Sequence, residues 1–466
     1  MGSFAAITES GKCWPEVLAM KYESAVRYLL SLGRELAAPT QAAAAKFNLQ
    51  NITVLMERLG RPYRAYPVAH VAGTNGKGST AAFLEAILRD AGFRTGLNTS
   101  PHLERINERI RVNGEEASDE LFAETFTRVQ EVIEEVLAAG KLRAHPTYFE
   151  CVTALAFEVF ARERVEFAVV EVGLGGRLDA TNIVRPQVSV ITRIDFDHEN
   201  FLGHSLREIA REKAGIIKES VPVVSAPQLV EAREVLRAKA EELHCSIMDA
   251  GEAFRIENEN VKEGCARAVV RELATGEAFR LAPRLPGRFQ LQNALNAVAA
   301  VRLLKERGYR ITKENIEDGI SGAEWPGRLE KLQAGPDVYL DGAHNPGAAR
   351  ELARFLAENF AGRRVFLIFG AMRDKAVDEV TGMLFPRATE VIFTQPGTPR
   401  AVSAKQLAEM AGHHAARYSV IADAEEALES ALAKARQDDA VFVTGSLYLV
   451  GQLRNAWKTR GKVALG

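Results

Sequence analysis

The residues best suited to chemistry lie in one stretch, Gly73-Thr74-Asn75-Gly76-Lys77-Gly78-Ser79-Thr80. It follows an apolar run from Pro67 to Val71 and precedes Ala81, Ala82, Phe83, Leu84, Ala86, Ile87 and Leu88 at helical spacing, so the segment reads as strand, loop, helix. In that context glycines let successive backbone N–H groups turn toward one anion. The helix N-terminus adds positive potential, and Lys77 can reach the outer phosphates of a nucleoside triphosphate. The general phosphate-loop pattern is not fully met: Val71 stands at its first glycine and Gly78 at the hydroxyl residue after lysine, so a metal-binding hydroxyl has to come from elsewhere. The competing reading is a Gly-rich turn with a solvated lysine.

Other residues sit where a ligand edge is expected. Glu171 ends the apolar run from Phe167 and can bind a metal or cap a neighbouring helix. His198, in Asp195-Phe196-Asp197-His198, follows a strand at Val188 to Thr192 and is either structural or metal-binding. Lys213 falls in a charged helical stretch, Leu206 to Lys218, where a lysine is ordinarily solvated or paired. Ser100 reads by itself as a turn serine after another strand-like run.

These residues need a frame. Strand-like runs at Phe167 to Val172, Val188 to Thr192 and Val221 to Ser225, with helical stretches at Leu206 to Lys218 and Val230 to Leu243, imply a largely parallel sheet covered on both faces. A second series, at Val338 to Leu340, Val365 to Phe369, Val391 to Phe393 and Ala440 to Thr444, follows a turn-like segment around Gly322 to Gly327. The expected fold is α/β: a phosphate-loop-type, mostly parallel domain over 1–322 and a smaller α/β domain over 323–466. The first 66 residues read as mainly helical, and Phe254 to Leu281 as short antiparallel strands before a helix at Gln290 to Arg307.

Composition narrows the class. A chain of 466 residues with 47% apolar and 26% charged residues suits a globular protein of two or more domains. A formal charge of −2 supplies no global field for nucleic acid or anionic lipid. Cys13, Cys151, Cys245 and Cys265 are widely spaced, which suggests neither a disulfide framework nor a cysteine-based zinc site and fits a reducing cytosol. No export signal or membrane span is expected.

The eight residues from Gly73 resemble the nucleotide loop of the Mur ligase superfamily, and further blocks resemble the folylpolyglutamate synthase and dihydrofolate synthase family. These are Thr99-Ser100-Pro101-His102-Leu103, the run from Glu171 to Asn182, Asp197-His198 with Glu212-Lys213-Ala214-Gly215-Ile216, Leu285-Pro286-Gly287-Arg288-Phe289-Gln290, Trp325-Pro326-Gly327-Arg328 and Asp341-Gly342-Ala343-His344-Asn345-Pro346. The resemblance implies an ATP- and magnesium-dependent ligase that activates a carboxylate as an acyl phosphate and joins it to the amine of L-glutamate. Folate or dihydropteroate would be the other partner, and the enzyme would be a cytoplasmic monomer.

By the same resemblance, Thr74, Asn75, Gly76, Lys77, Gly78, Ser79, Asn293, Arg328, Asp341 and His344 would meet the nucleotide. Ser100, Glu171, His198 and Lys213 would hold two magnesium ions, with Lys213 carbamylated by carbon dioxide and Lys77, His198 and Lys213 counted as catalytic. The pterin is expected at Thr147, Tyr148, Phe149, Leu178, Asp179 and Ala180, where a ring can stack and a carboxylate accept N–H groups; Tyr148 and Phe149 equally suit a core. Upstream, where the family often carries Gly-Leu-[Asp/Glu]-Arg, this chain reads Phe47-Asn48-Leu49-Gln50-Asn51-Ile52. Competing readings are another Mur-type amide ligase, a phosphate-loop kinase and a nucleotide switch without catalysis.

Overall fold

The computed structural model describes residues 20–33, 48–142, 144–373 and 376–463. Cys13, Phe47 and the parts of the helical reading over 1–19 and 34–47 lie outside the described residues. Within the described part of the first 66 residues, helices Tyr22–Ser31 and Gln50–Arg58 are present.

Eight strands make the first sheet: β1 Val68–Ala72, β2 Thr95–Asn98, β3 Ile110–Val112, β4 Glu115–Glu116, β5 Phe167–Glu171, β6 Val188–Ile191, β7 Val223–Ser225 and β8 Ile247–Asp249. Their order is β4-β3-β2-β5-β1-β6-β7-β8; β2, β5, β1, β6, β7 and β8 run parallel, and β3 and β4 are antiparallel additions at one edge. The central strands are buried on both faces, which is why VAHVA and FAVVE read as nearly unbroken apolar runs. Alternate residues of β5 serve opposite cores. Phe167 and Val169 pack with the helices Lys77–Asp90 and Phe289–Glu306, while Ala168 and Val170 pack with Asp119–Ala138 and Tyr148–Arg162.

Three antiparallel strands, β9 Phe254–Lys262, β10 Cys265–Glu272 and β11 Ala278–Leu281, form a separate sheet whose Phe254, Val270 and Phe279 join the first of these cores. The chain then makes helix Phe289–Glu306, as expected, and helix Lys313–Gly322. The last sheet has the order β12-β13-β17-β14-β15-β16, with β12 Glu330–Gln333, β13 Asp337–Leu340, β14 Val365–Phe369, β15 Glu390–Phe393, β16 Tyr418–Val420 and β17 Ala440–Thr444. All but β12 are parallel.

The expected strand series is present, with boundary corrections. The helical stretch expected to run to Lys218 ends at Ala214, beyond which the backbone tightens into turns, with Ile216 N–H donating to Lys213 and Ile217 N–H to Ala214. β7 begins at Val223 rather than Val221. No described helix is long and apolar enough to cross a membrane. Cys151, Cys245 and Cys265 are free thiols.

Candidate active site

Parallel strands deliver their C-terminal ends to one edge of a sheet, and here β2, β5, β1 and β6 lie side by side. Val71 pairs with Glu171, and Ala72 with Ile191, so the loop after β1 is flanked by the residues following β5 and β6. Ser100, two residues past β2, donates its backbone N–H to Glu171 Oε2 at 3.1 Å. Four segments, following strands that end at Ala72, Asn98, Glu171 and Ile191, therefore meet at one point.

The phosphate loop is held from below. Thr74 and Asn75 N–H donate to the Arg193 carbonyl at 2.9 and 3.2 Å, and the Thr74 hydroxyl donates to the Asp195 carbonyl at 2.9 Å. Gly76 adopts φ 86°, a left-handed conformation, and a Cβ there would lie 2.2 Å from Asn293 Oδ1. The helix begins at Lys77, so its first N–H groups have no partners within the helix and point toward the space above the loop. Asn293 lies against this turn, its amide donating to Gln290 and its carbonyl accepting from the Thr80 hydroxyl at 3.3 Å. Gly78 departs from the usual hydroxyl for a packing reason: a Cβ would come 2.9 Å from the indole nitrogen of Trp325. Arg111 lies over that indole, with its guanidinium carbon 5.4 Å from the ring centre. The linker thus clamps the loop, and Ser79, buried one residue on, is the hydroxyl that remains.

Charges around the loop are buried beyond what a surface site would tolerate. Glu171 is 4% exposed; burial raises its carboxyl, opposed by Lys77, the Ser100 amide, Arg328 and Arg109. Lys213 is equally buried, a correction to the solvated lysine that its charged helix suggested. Its Nζ donates to the Gly73 carbonyl at 2.8 Å, and burial together with Lys77 pulls its amine down to about 7. At neutral pH a substantial fraction is the uncharged, nucleophilic amine. Lys77 Nζ rests on the Thr74 carbonyl at 3.2 Å.

The segments around the last sheet reach the same loop. Asn345 caps helix Pro346–Asn359 by accepting from Ala348 N–H, and exchanges amide hydrogen bonds with Asn75 at 3.0 and 3.2 Å. It also donates to Asp197 Oδ2 at 3.1 Å, and His344 Nε2 lies 3.7 Å from the same oxygen. His198 sits beside Asp197 in a left-handed conformation at the start of helix Glu199–Leu202. Arg328 is half-buried; burial lowers its guanidinium, opposed by Asp341 and Glu171. Asp341 accepts from Leu329 and Ala343 N–H, both at 2.9 Å, so it shapes the turn that presents Arg328 and His344.

The residues expected to meet a pterin behave differently. The Thr147 hydroxyl and Glu150 form a capping box that starts helix Tyr148–Arg162. Tyr148 and Ala180 belong to the core, while Phe149 is partly buried against Gly173. Leu178 is half-exposed. Asp179, expected to accept pterin N–H groups, is engaged by donors of its own loop. Its Oδ2 takes Gly173 and Leu174 N–H at 3.0 and 2.9 Å, and its Oδ1 takes the Thr181 N–H and hydroxyl at 3.0 and 2.5 Å. Those four donors occupy the carboxylate. Because Thr181 donates to Asp179, the buried His70 Nε2, 2.9 Å from the Thr181 oxygen, must be the donor there. Burial, with Lys218, lowers that imidazole to about 3, so the neutral form ties β1 to the loop after β5.

Two residues at this edge were not foreseen. Arg109 is 2% exposed, donates to His102 Nδ1 at 2.7 Å and lies over the Tyr148 ring; an arginine that ends a short helical turn carries no sequence signal. Asn345 did carry one, an Asn before Pro at a helix start, which marks a cap.

Oxygen donors suit magnesium. Glu171 and Ser100 offer such oxygens as they stand; His198 offers a ring nitrogen, and Lys213 as an amine does not fit unless it is carboxylated.

A model of the Mur ligase middle domain matches residues 71–301, and one of the Mur ligase glutamate ligase domain matches residues 327–447. The chain is 38% identical to the dihydrofolate synthase/folylpolyglutamate synthase of Bacillus subtilis over 89% of its length and 95% of that protein's. It is 32% identical to the folylpolyglutamate synthase of Lacticaseibacillus casei, covering 93% and 98%. Among solved structures, Mycobacterium tuberculosis folylpolyglutamate synthase complexed with ADP and AMPPCP superposes with a TM-score of 0.84 at 31% identity, covering 93% of this chain and 99% of that one. Escherichia coli FolC in complex with DHPP and ADP gives 0.82 at 30%, covering 95% and 99%.

Proposed function

The chain belongs to the folylpolyglutamate synthase and dihydrofolate synthase family of Mur-type ligases, and from that premise we propose that it uses ATP to join L-glutamate to tetrahydrofolate and also to dihydropteroate. The observation that carries a ligase over a simple kinase is Lys213, an amine near neutrality buried against the carbonyl of the phosphate loop. A kinase needs charge neutralisation at the phosphates; a second, convertible group beside them suits a site that must also handle an acyl phosphate.

In this reading the loop amides and Lys77 hold and neutralise the phosphates of ATP, and Arg328 meets them from the other sheet. The substrate carboxylate attacks the γ-phosphorus, ADP leaves, and the amine of glutamate attacks the acyl carbon and expels phosphate. Glu171, Ser100, His198 and carbamylated Lys213 would hold two magnesium ions, which would supply positive charge to offset that of the phosphates. The neutral amine of Lys213 is the form that reacts with carbon dioxide. Asn345 and Asp197 hold the two sheets together over the loop, which keeps water from the acyl phosphate. We divide the chain at Gly322, where helix Lys313–Gly322 ends, and read the enzyme as a cytosolic monomer.

ADP release measured with tetrahydrofolate and with dihydropteroate, each with and without glutamate, tests the assignment. Sustained release is expected only when folate and glutamate are both present. No turnover of dihydropteroate would remove the synthase half, and glutamate-independent release with a stable phosphorylated product would replace the ligase with a kinase.

A further inference from the structure

Among the described residues, three ligand atoms of His, Cys, Asp or Glu side chains come within 4.8 Å of one another at Asp378, His413 and His414. None of these belongs to the phosphate-loop site. Asp378 lies in the first turn of helix Val377–Leu384; His413 and His414 occupy the short turn Gly412–His414 between helix Ala404–Ala411 and edge strand β16. Asp378 and Gly382 are one helical turn apart on the same face, and the imidazole of His414 lies along it, 3.5 Å from where a Gly382 Cβ would be.

Both imidazoles turn the same nitrogen to the same oxygen. His414 Nε2 is 2.9 Å and His413 Nε2 is 3.6 Å from Asp378 Oδ1, with ring centres 3.9 Å apart. One imidazole would satisfy that carboxylate as a hydrogen-bond donor; the second adds a convergent ligand nitrogen. Tetrahedral zinc, with bonds of about 2.0–2.1 Å, places neighbouring ligand atoms about 3.3 Å apart, and the two observed separations straddle that value. Two imidazoles and one carboxylate suit a borderline divalent transition ion rather than magnesium. Asp378 and His413 are exposed, so a fourth position is open to water.

We propose that Asp378, His413 and His414 form a zinc-type site that staples helix Val377–Leu384 to the turn before β16. The site uses no cysteine, which is why cysteine spacing gave no hint of it.

Zinc chloride titrated calorimetrically into the full chain in excess magnesium should show one zinc ion bound per chain. His413→Gln, His414→Gln and Asp378→Asn should each weaken it by at least about tenfold, since loss even of a residue that supports a ligand commonly costs that much. ADP-forming activity in zinc-free buffer should stay at the parental level. In the unaltered protein, zinc should also protect His413 and His414 from diethylpyrocarbonate, read by peptide mass. Absence of zinc binding in the parent, parental affinity in the variants, or unprotected imidazoles would each overturn the site.

Discussion

The phosphate-loop side and the Asp179 side of the first sheet bury charge in opposite ways. Burial raises the carboxyls of both Glu171 and Asp179. Asp179 is surrounded by four donors from its own loop, whereas the opposition at Glu171 comes chiefly from cations, Lys77 first, that are themselves held at the loop. Lys213 and Arg328 are likewise shifted away from their charged forms by burial. Charges left in that condition await a ligand, while a charge already met by N–H and O–H groups builds the frame. Electrostatic cost thus separates site from scaffold where residue type alone does not.

The largest effect that tests this contrast is Lys77→Ala. Turnover at saturating ATP should fall ~100-fold or more, with the melting temperature nearly unchanged, because the lysine neutralises ligand charge rather than filling a core. Parental turnover would place Lys77 among the framework residues.

Lys213→Ala should also abolish turnover, and short carboxylic acids should restore part of it by supplying the oxygen donor that a carbamate would provide. Intact mass of the fully active parent showing unmodified Lys213 would contradict the carbamate.

Asp179→Ala should do the reverse of Lys77→Ala: it strands three backbone N–H groups and the Thr181 hydroxyl, so stability should drop by about 2 kcal/mol or more. Losses in kcat/KM should be similar for tetrahydrofolate and dihydropteroate, as expected of a loop brace. A selective loss with dihydropteroate at unchanged stability would return Asp179 to the substrate pocket.

Glu158 supplies the smallest and most conditional effect. It is buried in helix Tyr148–Arg162, one of its oxygens has no hydrogen-bond partner among the described residues, and burial raises its carboxyl to about 7 despite Arg128 and Arg162. Between the unfolded value near 4.5 and 7, the folded state holds a proton that the unfolded state has lost. Stability therefore falls as pH rises through this window, by up to roughly 3 kcal/mol. Glu158→Gln should match the parent at acid pH and exceed it above neutrality in denaturant titrations; a pH-independent difference would mean that Glu158 is ionised throughout.

Much of this was legible in the chain. Fully buried parallel strands such as Phe167–Glu171 and Ala440–Thr444 announce themselves by apolar runs, and the phosphate loop by its place between strand and helix. The edge strands were not: Glu115–Glu116 has no apolar residue, and Tyr418–Val420 is short and partly exposed. The loop bonds of Asp179 were not legible, because a carboxylate in a Gly-rich loop looks the same in sequence whether its acceptors face a ligand or the loop's own N–H groups. Lys213 misled because helical spacing shows charge but not the depth at which a helix is packed. Trp325 explains Gly78 only across nearly 250 residues of chain.

The most direct test of the central claim, that this site makes an acyl phosphate, follows oxygen. With the reacting carboxylate of the folate labelled with oxygen-18, the account predicts one labelled atom in each phosphate released when glutamate is added, because the carboxylate oxygen that attacks phosphorus leaves with it. Unlabelled phosphate, released at the same rate as the glutamate adduct forms, would contradict it.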